Sequence, residues 1–90
     1  MLQKKIIFTE HALLEMRRRS IDRELVANSV INPQQTLPAK NNRLIIHNQY
    51  VDAEQNRNML LRIVIEKIDQ SIIIITAYKT SKIEKYWRSR

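Results

Sequence analysis

Residues 71–87 read Ser71-Ile-Ile-Ile-Ile-Thr-Ala-Tyr-Lys-Thr-Ser-Lys-Ile-Glu-Lys-Tyr-Trp87: the most apolar β-branched run of the chain, followed at once by phenols, hydroxyls, ammoniums and an indole. Ile72 to Ile75 have stiff, branched side chains that favour a pleated backbone, and an unbroken apolar run of this length suits a strand covered on both faces. The run is therefore expected to form the central strand of a sheet, with the residues from Tyr78 onward as its chemical edge. Just upstream, Asp69-Gln70 makes a short connection to a second strand, Met59 to Lys67, where Met59, Leu61, Ile63 and Ile65 alternate with Leu60, Arg62, Val64 and Glu66. Residues 51–58 are polar and read as a mobile loop, preceded by a strand from Arg43 to Tyr50 that Asn41-Asn42 introduces. These three strands should form an antiparallel meander. Downstream, Ser81 with Glu84 three residues later fits a capping box, so a short terminal helix or turn should carry Tyr86 and Trp87.

Before Pro38 the apolar period is helical. Residues 3–8 read as a first strand, and Thr9 is suited to cap a helix running from Glu10 to about Arg19. On that helix Ala12, Leu13 and Met16 share one side, His11, Glu15 and Arg18 the wet side, and Arg19 the boundary. Ser20-Ile21 breaks the pattern. Asp22 can cap a second helix, with Leu25, Val26 and Val30 inward, until Asn32-Pro33 ends it. Neither helix has a second apolar stripe, so both must bury against one face of the sheet. The predicted fold is α+β, ordered β-α-α-β-β-β, with two helices on one face of a mainly antiparallel, twisted sheet. One domain spanning 1–90 is expected, with a thin core, since so short a chain buries only about 60–65% of its unfolded surface.

Composition narrows the partners. Sixteen Lys and Arg against nine Asp and Glu give a net charge of +7, which attracts polyanions, so nucleic acid leads as a partner class. The plain alternative is that the charge only keeps a small protein soluble. Glycine and cysteine are both absent. Without glycine there is no Gly-rich phosphate cradle, and turns must use Asn, Asp and Pro. Without cysteine there is neither a disulfide framework nor a thiolate ligand, and two histidines alone do not make a zinc site. No cofactor or metal is expected. No apolar run nears the roughly 18 residues of a membrane span, and no secretory h-region follows the first Met, so a cytoplasmic protein is expected.

Two clusters suit chemistry. His11 stands in the first turn of a helix that ends Arg17-Arg18-Arg19, where the helix dipole and the guanidinium groups both favour a neutral imidazole able to accept a proton; the alternative is a surface histidine bonded to Glu15. The second cluster is Tyr78, Lys79, Thr80, Ser81 and Lys82 with Lys85, Tyr86, Trp87 and Arg88. Cleavage of RNA by its own 2′-hydroxyl needs a base, cations for the phosphorane and an acid for the leaving oxygen, while aromatic rings stack unpaired bases. The alternative is that Tyr86 and Trp87 only cover a sheet edge while the lysines are solvated.

His11-Ala12, Met16, Arg19 and Ile21, with the closing Tyr78, Thr80, Ser81, Lys82, Ile83, Tyr86 and Trp87, carry a resemblance over nearly the whole chain. The sequence resembles a small, uncharacterised bacterial family related to RelE and ParE toxins and to the wider barnase, colicin and RelE-like nuclease group. It departs from that pattern at Glu15, where an arginine is usual, and at Ser20, where a glycine is usual. The resemblance implies a RelE-like fold and a metal-independent endoribonuclease of the toxin–antitoxin kind, acting on single-stranded RNA or ribosome-bound mRNA and neutralised by an antitoxin protein. It implies that His11 and Arg19 face Tyr78, Thr80 and Lys82 across one cleft. His11 would then be general base or acid, Arg19 and Lys82 would stabilise phosphate charge, and Thr80 and Tyr78 would orient the phosphate or donate a proton. RNA binding would use Arg17, Arg18, Lys79, Ser81, Lys85, Tyr86, Trp87 and Arg88. A non-catalytic module binding RNA or DNA, or a protein partner, through the same basic surface is the alternative.

Overall fold

Thr9 marks the first junction that local chemistry dictates. In the computed structural model, which describes residues 4–89, its Oγ1 accepts the Ala12 N–H at 3.0 Å and donates to the Ile74 carbonyl at 2.9 Å. One hydroxyl thus caps helix α1 (Glu10–Arg18) and pins the end of strand β1 (Lys5–Phe8) to a neighbouring strand. Gln3, the first residue of the predicted opening strand, lies outside the described residues. Helix α2 (Arg23–Ile31) follows, with Asp22 at its N-cap position but without a side-chain capping bond. Then come β2 (Gln35–Pro38), β3 (Arg43–Asp52), β4 (Arg57–Ile68), β5 (Ser71–Thr80) and the short α3 (Ile83–Tyr86).

The fold is α+β, with a mixed five-stranded sheet ordered β1-β5-β4-β3-β2. β1 runs parallel to β5, and the β2-β3, β3-β4 and β4-β5 pairs are antiparallel. Ala12 and Met16 of α1 and Val26 and Val30 of α2 join Ile46, Leu61, Ile63, Ile65, Ile72, Ile74 and Ala77 in one apolar cluster. Both helices therefore cover a single face, as their single stripes require. None of the described helices is long and apolar enough to cross a membrane.

Three expectations are corrected. The central strand is β4, not β5, because the parallel pairing with β1 makes β5 second from the edge. Ile72 and Ile74 are buried under the helices, while Ile73 and Ile75 on the other face are only half-buried. Residues 51–58 are not a loose loop. They finish β3, turn at 53–56 and start β4, because the Asp52 carboxylate accepts the Glu54 and Gln55 N–H groups at 2.9 and 3.0 Å. The extra strand β2 contains Pro38, which is tolerated there because β2 is an edge with a single neighbour.

Turns made without glycine use left-handed Asn41, Asn42, Asn56, Asp69 and Ser20, with φ between 53° and 61°. Asn and Asp adopt this region at little cost. Ser20, at φ 55° in the turn after α1, stands in a region that glycine enters most readily.

Candidate functional site

Strand register builds the site. Gln35 pairs with His47, His47 with Arg62 and Arg62 with Tyr78, so these four side chains form one row across β2, β3, β4 and β5. Their neighbours Ile46, Leu61, Ile63 and Ala77 point into the helix-covered core, which puts the row on the opposite face. A chain of hydrogen bonds runs along it. Arg62 Nε donates to His47 Nε2 at 3.0 Å, which leaves the imidazole proton on Nδ1, 3.1 Å from Gln35 Oε1. Arg62 Nη1 donates to the Tyr78 hydroxyl.

The segment after β5 lies over this row. The Tyr86 ring sits 4.0 Å from the Arg62 guanidinium, and the Tyr78 ring 5.4 Å from it. Trp87 stacks on His47 with ring centroids 6.3 Å apart and planes 21° from parallel. Lys85 Nζ approaches the outer part of the cluster, 5.3 Å from the Tyr86 ring. The predicted capping box does not form: Lys82 holds the N-cap position of α3, and its N–H bonds Thr80 Oγ1 at 3.0 Å. The hydroxyl two residues back outcompetes Ser81 for the turn.

His47 is fully buried, and burial, reinforced by the Arg62 charge, lowers its pKa below the ordinary 6.5. The unfolded chain then takes up a proton that the folded chain resists. The stability that neutral His47 contributes is therefore present above about pH 6.5 and is lost as pH falls from there through the folded value. Urea midpoints at pH 8 and pH 5 should show this loss for the wild type and a smaller one for His47→Gln. Equal slopes for the two proteins would refute the assignment.

On the helix-covered side, Asp52 accepts from Lys79 Nζ at 2.8 Å and from the Tyr50 hydroxyl at 3.0 Å. The bond from Lys79, then those from the Gln55 N–H and Tyr50, lower the Asp52 carboxyl to about 2 against the opposing effect of burial. Burial, the hydrogen bond to Asp52 and that carboxylate's charge push the Tyr50 phenol upward. This arrangement corrects one expectation directly. Lys79 is buried in an ion pair beneath the sheet, because strand alternation turns it away from Tyr78 and Thr80, so it does not join an RNA-binding surface.

The first-helix cluster stands apart from the row. His11 is exposed on α1, and no hydrogen bond among the described residues links it to Tyr78, Thr80 or Lys82. Arg19 is paired with Glu15, as is Arg18 at 3.5 Å, so Glu15 binds these arginines rather than His11. Arg17, Ser81, Lys82, Lys85 and Arg88 are exposed. Tyr78, Tyr86 and Trp87 are brought together, but their partners are His47 and Arg62, and Gln35 bonds His47 and the Arg88 backbone beside them; sequence reasoning passed over all three. His47 and Arg62 are polar residues within strands the sequence does show, on the face left free by the core positions, and that was the available signal; Gln35 lies in β2 and gave none. Among the described residues no group of three or more His, Asp or Glu side chains is placed to hold a metal ion.

The chain belongs to DUF4258, a family described as a domain of unknown function, whose model matches residues 8–79. That stretch contains the whole Gln35–His47–Arg62–Tyr78 row and ends before Tyr86 and Trp87. No curated protein and no solved structure matches the chain.

Proposed function

We propose that this protein is a metal-independent endoribonuclease of the RelE-like toxin kind, with a RelE-like fold, acting on single-stranded or ribosome-bound RNA in the cytoplasm and neutralised by an antitoxin protein. The observation that carries the reading is Arg62, held between an imidazole acceptor and a phenol and flanked by two tyrosine rings. A phosphodiester taking the Arg62 N–H groups would free the His47 Nε2 lone pair. That nitrogen then accepts the 2′-hydroxyl proton as the 2′ oxygen attacks phosphorus, and Arg62 stabilises the phosphorane charge. Tyr78 donates its proton to the departing 5′ oxygen, giving a 2′,3′-cyclic phosphate and a 5′-hydroxyl. Lys82, Lys85 and Arg88, exposed on the segment that covers the row, supply attraction for the backbone.

A second reading, a non-catalytic RNA-binding module, is favoured by the closure of His47, which is 0% exposed with both nitrogens engaged. Labelled single-stranded RNA incubated with the protein, with and without EDTA, separates the two. Cyclic-phosphate ends formed in both conditions support the nuclease. Binding that weakens by roughly a decade per decade of salt for each phosphate neutralised, with intact RNA, supports the module. Neither cleavage nor salt-sensitive binding, on free RNA or on ribosome-bound message, ends both.

A further inference from the structure

The segment 81–89 closes the row, and its own anchorage is slight. Helix α3 is a single turn, none of its residues is buried, and Lys82 at its N-cap makes no side-chain capping bond. Beyond the Lys82 N–H bond to Thr80 Oγ1, what holds it are contacts to the row itself: Trp87 on His47, Tyr86 on Arg62, and the Gln35 amide on the Arg88 backbone. Gln35 Oε1 accepts the Arg88 N–H at 3.2 Å and Gln35 Nε2 donates to the Arg88 carbonyl at 2.5 Å. The row therefore offers a flat imidazole face and, beside it, an amide reading one donor and one acceptor. Those are the two things an unstacked nucleobase requires of a protein, a stacking platform and a partner for its edge.

We propose that His47 and Gln35 form a nucleobase subsite, and that Trp87 and the Arg88 backbone occupy it from within the chain as a plug that single-stranded RNA displaces. This rests on the RNA reading above and adds its regulation. With the tail docked, the imidazole is shut from solvent and its lone pair is committed to Arg62. With the tail displaced, a base stacks on the imidazole and the adjacent phosphate reaches Arg62. The protein thus carries its own competitor, and affinity for RNA is reduced by the fraction of molecules in the closed form.

Trp87 is the sole tryptophan of the sequence, so its emission reports the plug directly. The probe is a 2′-O-methyl oligoadenylate of about eight nucleotides, within the site sizes of single-strand binders and unable to react by 2′ attack. On binding, wild-type emission should shift to the red and become more accessible to acrylamide. Trp87→Ala should bind the probe roughly fivefold or more tightly, the scale of one lost aromatic stack. Emission that is unchanged, or quenched and protected because the indole itself stacks on a base, overturns the plug while leaving RNA binding in place. A variant that binds no tighter does the same. If neither protein binds the probe, the RNA reading fails first and the plug with it. The wild-type emission arm needs no variant, so a Trp87→Ala protein that folds poorly does not blur the outcome.

Discussion

Arg62→Ala is expected to lower RNA cleavage by at least about a hundredfold, the usual scale for losing a charge that stabilises a transition state. Arg62 links the groups of the proposed chemistry: it donates to His47 and to Tyr78 and lies against Tyr86. Arg62→Lys tests geometry against charge. An ammonium keeps the positive charge but cannot donate in the planar fork that reaches an imidazole on one side and a phenol on the other. The lysine variant should therefore retain salt-dependent RNA binding and lose most of the rate. His11→Ala supplies the opposing arm, because the resemblance implies a general base on α1, whereas the mechanism proposed above uses His47 of β3. A loss of at least about a hundredfold in His11→Ala with Arg62→Ala near wild type would move the chemistry to α1 and remove the row from the mechanism. Urea midpoints of all three variants, measured alongside the rates, separate lost chemistry from lost folding.

Ile63→Ala should cost about 2–5 kcal/mol, the range for truncating a fully buried aliphatic side chain. Ile63 is 0% exposed in the central strand and packs in the cluster that joins both helices to the sheet. Stability of roughly 0.05–0.15 kcal/mol per residue puts a chain of this size at about 5–13 kcal/mol, so the variant stands near the unfolding threshold at the lower end. Val64→Ala, one residue on and half-buried on the other face, should cost clearly less. Equal losses at the two positions in urea titrations would contradict the assignment of the core face.

That contrast between adjacent residues of β4 also shows how much was legible beforehand. Met59, Leu61, Ile63 and Ile65 alternate with their neighbours because a strand presents successive side chains to opposite faces, and this pattern needs no tertiary information. The Thr9 cap and the single stripes of α1 and α2 were readable for the same local reason. β2 was not, since a Gln-Thr-Leu-Pro segment has no strand period of its own and is ordered by pairing with β3. The 53–56 turn likewise depended on one carboxylate tied to a lysine 27 residues later.

The sequence by itself determined the α+β class, the face on which each helix stripe is buried, the excess of positive charge, and the gathering of Tyr78, Tyr86 and Trp87 near the end of the chain. Only the tertiary structure decided that these rings meet His47 and Arg62 rather than a contact from His11, and that Lys79 is neutralised by Asp52 beneath the sheet. The reason is register. Alternation assigns a side chain to a face, but which residues on that face become neighbours is set by how strands far apart in the chain align, and a shift of one residue reverses every assignment.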